Sequence, residues 1–193
     1  MIIGITGGTG CGKTTLLQAI ESAGGTVLDC DAIYHRLLKT DPNLLQAIEA
    51  RFPGTVIDGA LDRKKLGTIV FQDSAALKDL NKIAHGAVKQ EVLRLLTPAP
   101  QLAAIDAIGL FEGGLAPLCD ATVAVTAPVE ERVQRLMARD GITEEYARAR
   151  IAAQRPQEEF VALCDYSLEN NGTYAQFHEK CLAFLADLGI MKA

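Results

Sequence analysis

The sequence predicts a three-layer α/β/α fold around a mostly parallel sheet, with a helical insertion after the second strand and a helical lid further on. Three observations predict it. Short β-prone runs alternate with amphipathic helical stretches, the pattern of βαβ units. The first run, Ile2 to Thr6, leads directly into Gly7-Gly-Thr-Gly-Cys-Gly-Lys13-Thr14, a G-x-x-x-x-G-K-[ST] loop. The composition, 49% apolar and 22% charged over 193 residues, suits one globular core with one or two small insertions.

The loop spacing has a physical reason. Glycines let the backbone take positive φ and approach a ligand closely, so that successive N–H groups converge on phosphate oxygens. Gly8, Gly10, Cys11, Gly12, Lys13, Thr14 and Thr15 are therefore the candidates for holding a nucleotide, Lys13 as a point charge and Thr14 as a hydroxyl for Mg²⁺. The helix this loop needs follows at once, with Leu16, Leu17, Ile20 and Ala23 on an apolar stripe that Gly24-Gly25 ends.

Thr26 to Cys30 reads as a second strand with Asp29 and Asp31 at its C-terminal end, the edge where open parallel sheets bind ligands. Alternation along an extended end points both carboxylates to one side, and at least one suits a metal or a proton. Asp31 also suits the cap of a helix starting near Ala32. Asp41-Pro42, Asp62 and Ser74 then open three helices, the first with Leu44, Leu45, Ile48 and Phe52 inward, the second with Leu66, Ile69 and Val70, the third with Leu77 through Leu95. Residues 41–96 thus read as all-helical, a place for a second substrate or a layer covering the sheet.

Leu102 to Ile105 is a strand ending in Asp106, the usual carboxylate partner of a phosphate loop at Mg²⁺. Asp106-Ala-Ile-Gly109 also fits a GTPase D-x-x-G, but no later N-K-x-D appears. Ala121 to Val125 is another strand, and Pro128 opens a helix in the arginine-rich part of the chain. Six of the ten arginines lie between Arg132 and Arg155, with no lysine among them. Arg132, Arg135 and Arg139 share one helical face, and planar guanidiniums grip phosphate bidentately. Arg135 and Arg139 are candidates for the nucleotide; Arg132 and Arg148 suit a solvated face paired with Glu130, Glu131, Glu144 and Glu145. Asp140-Gly141 and a cap at Thr143 would make the segment a helical hairpin. Tyr166 to Leu168 is the last strand, and Asn170-Asn171-Gly172 a turn at the ligand edge where an adenine could bond.

Nineteen basic against 24 acidic residues give a charge of −5, so no general positive field draws nucleic acid or anionic lipid. No apolar stretch reaches membrane-spanning length, and the N-terminus has no basic-then-apolar leader pattern. The five cysteines are odd in number and never in a C-x-x-C pair, which fits small buried residues in a reducing, cytoplasmic setting. Cys11, at a helix N-terminus, is a candidate for a lowered thiol pKa and nucleotide-sensitive oxidation.

Together the loop, Val27-Leu-Asp29-Cys-Asp31-Ala, Leu61-Asp-Arg63-Lys-Lys-Leu66-Gly, Val70-Phe71, Leu110-Phe111-Glu112, the run ending Arg150-Ile-Ala-Ala-Gln154, and Asn170-Asn171-Gly172 resemble the dephospho-coenzyme A kinase family, relatives of the nucleoside monophosphate kinases. The resemblance implies a P-loop kinase core of residues 1–40, 97–130 and 157–193, a helical region for the coenzyme A precursor at 41–96 and an arginine-rich lid at 131–156. It implies transfer of the γ-phosphoryl group of ATP, with Mg²⁺, to the ribose 3′-hydroxyl of dephospho-coenzyme A. Asp31 would be the general base, Lys13 and Arg139 would stabilise the transferring group, Asn171 would serve the nucleotide, and Thr14 and Asp106 the metal. A monomer or weak homo-oligomer is expected, with no nucleic acid or membrane partner. The chain departs from the family pattern at Ile108-Gly109, at Asn81 and at Gly86, where the family favours Pro, Glu and Pro. Two other readings of the residues stay open: a kinase of this fold acting on another metabolite or nucleoside hydroxyl, and a regulatory module that binds ATP without transferring phosphate.

Overall fold

The computed structural model describes residues 1–190. In chain order its elements are β1 (Ile2–Thr6), α1 (Lys13–Ser22), β2 (Thr26–Asp29), α2 (Cys30–Thr40), α3 (Pro42–Arg51), β3 (Val56–Ile57), β4 (Ala60–Leu61), α4 (Arg63–Val70), α5 (Ser74–Leu96), β5 (Ala103–Asp106), β6 (Ala121–Thr126), α6 (Val129–Asp140), α7 (Glu144–Ala152), α8 (Gln157–Leu163), β7 (Tyr166–Glu169) and α9 (Tyr174–Asp187). The backbone divides into two compact units: Met1–Leu28, Ala99–Leu110 and the chain from Leu115 onward, and Asp29–Pro98 with Phe111–Gly114.

The first unit carries a five-stranded sheet in the order β2, β5, β1, β6, β7, in which β1 pairs in parallel with β5 and β6, and β6 with β7. Its central strands are apolar on both faces, as a parallel sheet covered on both sides requires: Ile3, Ile5, Ala103–Ile105 and Val123–Val125 are all buried. On one face Leu16, Ala19 and Ile20 of α1 and Phe177, Cys181, Phe184 and Leu185 of α9 close a core with Ile3, Ile5, Val123 and Val125. Helices α6 and α7 enclose a small core of their own, Val133, Leu136 and Ala147, and the chain turns between them at Gly141 with φ 65°, a left-handed conformation that glycine takes without steric cost. Thr143 caps α7 as expected, accepting from the Tyr146 N–H.

In the second unit α5 packs against α2, α3 and α4, burying Ile33, Leu37, Leu44, Ile48, Phe52, Leu66, Val70, Val88 and Val92. Residues 41–96 are not all helical. A hairpin pairs Val56 with Leu61 and Ile57 with Ala60, turning at Asp58-Gly59 with φ 51° and 76°, which is the Asp-Gly signature of a two-residue hairpin turn. Ile69 is exposed, because Leu66 and Val70, one turn apart, suffice for the buried stripe of α4. The third helix is capped by Asp73 rather than Ser74, the carboxylate accepting from the N–H groups of Ala75 and Ala76. Ala76, not Leu77, is its first buried residue.

Candidate active site

The loop leaves β1 at Thr6, whose buried hydroxyl donates to the Ile108 carbonyl at 3.0 Å. Gly10 and Gly12 take φ of 77° and 99°. At Gly12 a side chain is doubly excluded, since a Cβ would also lie 2.2 Å from Asn170 Nδ2. The N–H groups of Gly10, Gly12 and Thr14 find no hydrogen-bond partner among the described residues, while Lys13 Nζ donates to the Gly7 carbonyl at 3.1 Å and stands 3.9 Å from Asp106 Oδ1. The Thr14 side chain is exposed.

The opposite side of the loop is held by side chains. Arg132 Nε donates to the Thr9 carbonyl at 2.9 Å, Arg135 Nη1 to the Gly10 and Cys11 carbonyls at 3.2 and 3.4 Å, and Asn170 Nδ2 to Cys11 at 3.0 Å. Gln154 Oε1 accepts from the Thr9 N–H at 2.8 Å and from Arg132 Nη2 at 3.3 Å. Because the C=O and N–H of one peptide point oppositely, fastening the Thr9 and Cys11 carbonyls outward turns the Gly10 and Gly12 N–H groups inward, while the Cys11 N–H closes back on the Gly8 carbonyl at 3.3 Å.

These contacts revise several expectations. Arg132 is not on a solvated face but buried, because the stripe of α6 that carries it packs on the loop. Arg148 does pair with Glu130 and Glu144, which hold its guanidinium firmly charged. Arg135, besides the loop carbonyls, meets Glu131 and Asn170. Arg139 is exposed and chelated by Asp140 at 2.7 and 3.0 Å. Arg150 joins the same carboxylate at 2.7 Å, and the hydrogen bonds from Arg139 and then Arg150 hold Asp140 down to about 2. Asn171 lies exposed, donating to Glu169 and accepting from Lys180. Its neighbour Asn170, which the sequence places in the same turn without a role of its own, is the buried one: its N–H extends the sheet to the Thr126 carbonyl, and that turns the side chain onto the loop. Cys11 is 1% exposed, and burial pushes its thiol above the ordinary value despite the pull of Lys13, so desolvation outweighs the helix N-terminus.

In the second unit the chain separates the two aspartates. The strand stops at Asp29, whose carboxylate caps α2 by accepting from the Ala32 N–H at 2.9 Å. Asp31 is therefore helical, and strand alternation does not apply to it. It is exposed in the first turn of α2, with no hydrogen-bond partner among the described residues. One turn on, His35 Nδ1 lies 3.0 Å from Arg63 Nη2; since a guanidinium only donates, that nitrogen accepts. His85 is half-buried on α5.

Thr14 and Asp106 offer hard oxygen donors. No group of three or more His, Cys, Asp or Glu among the described residues could hold a metal alone. That sparse set fits Mg²⁺, which keeps phosphate oxygens and water as most of its ligands.

A family model described as dephospho-CoA kinase matches residues 1–176. The dephospho-CoA kinase of Anaeromyxobacter dehalogenans is 39% identical over 193 residues, covering 97% of this chain and 92% of that protein. A solved Thermus thermophilus structure superposes with a TM-score of 0.80 at 37% identity, covering 97% of each chain. The dephospho-CoA kinase from Campylobacter jejuni does so with a TM-score of 0.68 at 26% identity, covering 98% of each.

Proposed function

This chain belongs to the dephospho-CoA kinase family, and from that membership we propose how its residues carry the reaction. The enzyme uses ATP to phosphorylate the ribose 3′-hydroxyl of dephospho-CoA, the last step of coenzyme A biosynthesis. The single observation that carries this reading is the family match, because it spans both the phosphate loop and the helix bearing Asp31.

The loop amides and Lys13 bind the β- and γ-phosphates. Asp31, whose neighbour Asp29 is occupied as a helix cap, accepts the 3′-hydroxyl proton as the ribose oxygen attacks the γ-phosphorus. The bond from that phosphorus to the bridging oxygen breaks, and ADP leaves with the electron pair. Arg139 exchanges Asp140 for the transferring group and, with Lys13, offsets its charge; the loose transition state leaves catalysis to such positioning and neutralisation. Thr14 and Asp106 would hold Mg²⁺, which when bound supplies charge neutralisation at the phosphates. Asn171 stands near the end of β7 as the adenine-side candidate. The five cysteines, none of them in a disulfide, support a cytoplasmic setting.

ADP release across a panel of alcohol acceptors tests the reading. Dephospho-CoA should raise turnover far above the water background. If a different alcohol does so and dephospho-CoA does not, the acceptor is wrong; if none does, the chain is an ATP-binding module.

A further inference from the structure

Arg132 is 3% exposed, yet its polar partners are neutral, the Thr9 carbonyl and Gln154 Oε1. Among the described residues no carboxylate pairs with it: Glu130 is engaged by Arg148, Glu131 by Arg135, and Asp106 stands beside Lys13. A guanidinium withdrawn from water without a counter-charge is costly, and a neutral side chain could make the same hydrogen bonds without that cost. The guanidinium is also tightly seated. A Cβ on Gly8 would lie 2.3 Å from Nη2, and one on Gly10 2.9 Å from the Arg132 carbonyl. The charge therefore lies directly behind the peptide planes of the loop, on their carbonyl side.

We propose that Arg132 is a positioning residue whose counter-charge is the polyphosphate of the bound nucleotide. It acts through the loop without touching the ligand: it fastens the Thr9 carbonyl outward, and its field, with only the loop backbone between, favours ligands in proportion to their negative charge. This rests on the ATP-binding reading above, and it gives Arg132 a part distinct from Arg139, which is exposed and free to exchange partners.

The test is calorimetric binding of ATP, ADP and AMP to the wild type, Arg132→Gln and Arg132→Lys. Glutamine keeps a donor for the Thr9 carbonyl and removes the charge; lysine keeps the charge and loses the fork. For Arg132→Gln we expect a tenfold or larger loss for ATP, a smaller one for ADP and less than twofold for AMP. Arg132→Lys should hold ATP within about threefold of the wild type, and carries the test if the glutamine variant does not fold. Equal losses for all three ligands, or none for ATP, overturn the proposal while leaving the kinase reading intact; with a lysine variant alone, a loss of ATP and AMP to the same extent does so. A wild type that binds no ATP overturns both.

Discussion

Asp29 and Asp31 are two residues apart, and their replacement should have opposite consequences. Asp29 accepts from the Ala32 N–H at 2.9 Å as the cap of α2, so Asp29→Ala should cost about 1 kcal/mol of stability, or roughly 2–4 °C in Tm for a chain of this size. Asp29→Asn preserves the cap and should change little. Asp31, exposed in the first turn, stabilises the fold only through the helix dipole, about 0.5 kcal/mol. Its loss as a base should lower kcat by roughly 10²-fold, about 2.7 kcal/mol of barrier. Coupled detection of ADP at saturating ATP and dephospho-CoA, alongside thermal unfolding, separates the effects. Near wild-type turnover by Asp31→Asn, or as large a loss of activity in Asp29→Asn as in Asp31→Asn, would contradict this division of roles.

Asn170→Ala strips the Cys11 carbonyl of its 3.0 Å donor and should lower stability by about 1–3 kcal/mol and weaken ATP binding, whereas Asn171→Ala should leave stability nearly unchanged; urea unfolding of the pair decides. Asp140 is held down to about 2 from an ordinary 3.8 by Arg139 and Arg150, so its contribution to stability is present above the ordinary value and lost as pH falls through the lower one. The stability difference between the wild type and Asp140→Asn should shrink across that window, and a constant difference would contradict the pairing. Burial pushes the thiols of Cys119 to about 12 and of Cys164 and Cys181 to about 11, and that of Cys11 upward as well. Alkylation of the folded protein at pH 8 should therefore be slow at these positions and unaffected by ATP; rapid labelling of Cys11 that ATP prevents would show otherwise.

The strand, loop and helix from Ile2 to Ser22 were legible because sterics allow so few residue types at their spacing. Other features depended on contacts that spacing cannot carry. Arg132, Arg135 and Arg139 share a helical face at intervals of three and four, but only the packing of α6 decides that the first two meet the loop and the third meets Asp140. Asn170 and Asn171 are indistinguishable as residues, and the ladder bond to Thr126 separates them. Asp29 ends the strand because its side chain competes for the next helix's N–H groups, which local alternation ignores. The Asp58-Gly59 hairpin, in contrast, had a readable signal, masked by the apolar helical pattern on both sides.

The most direct test follows the phosphoryl group itself. Enzyme incubated with ATP and dephospho-CoA should yield, by phosphorus NMR and digestion of the product, a new monoester on the ribose 3′ position in equal amount to the ADP formed. A product phosphorylated elsewhere, or ADP formed with the coenzyme precursor unchanged, would contradict the account.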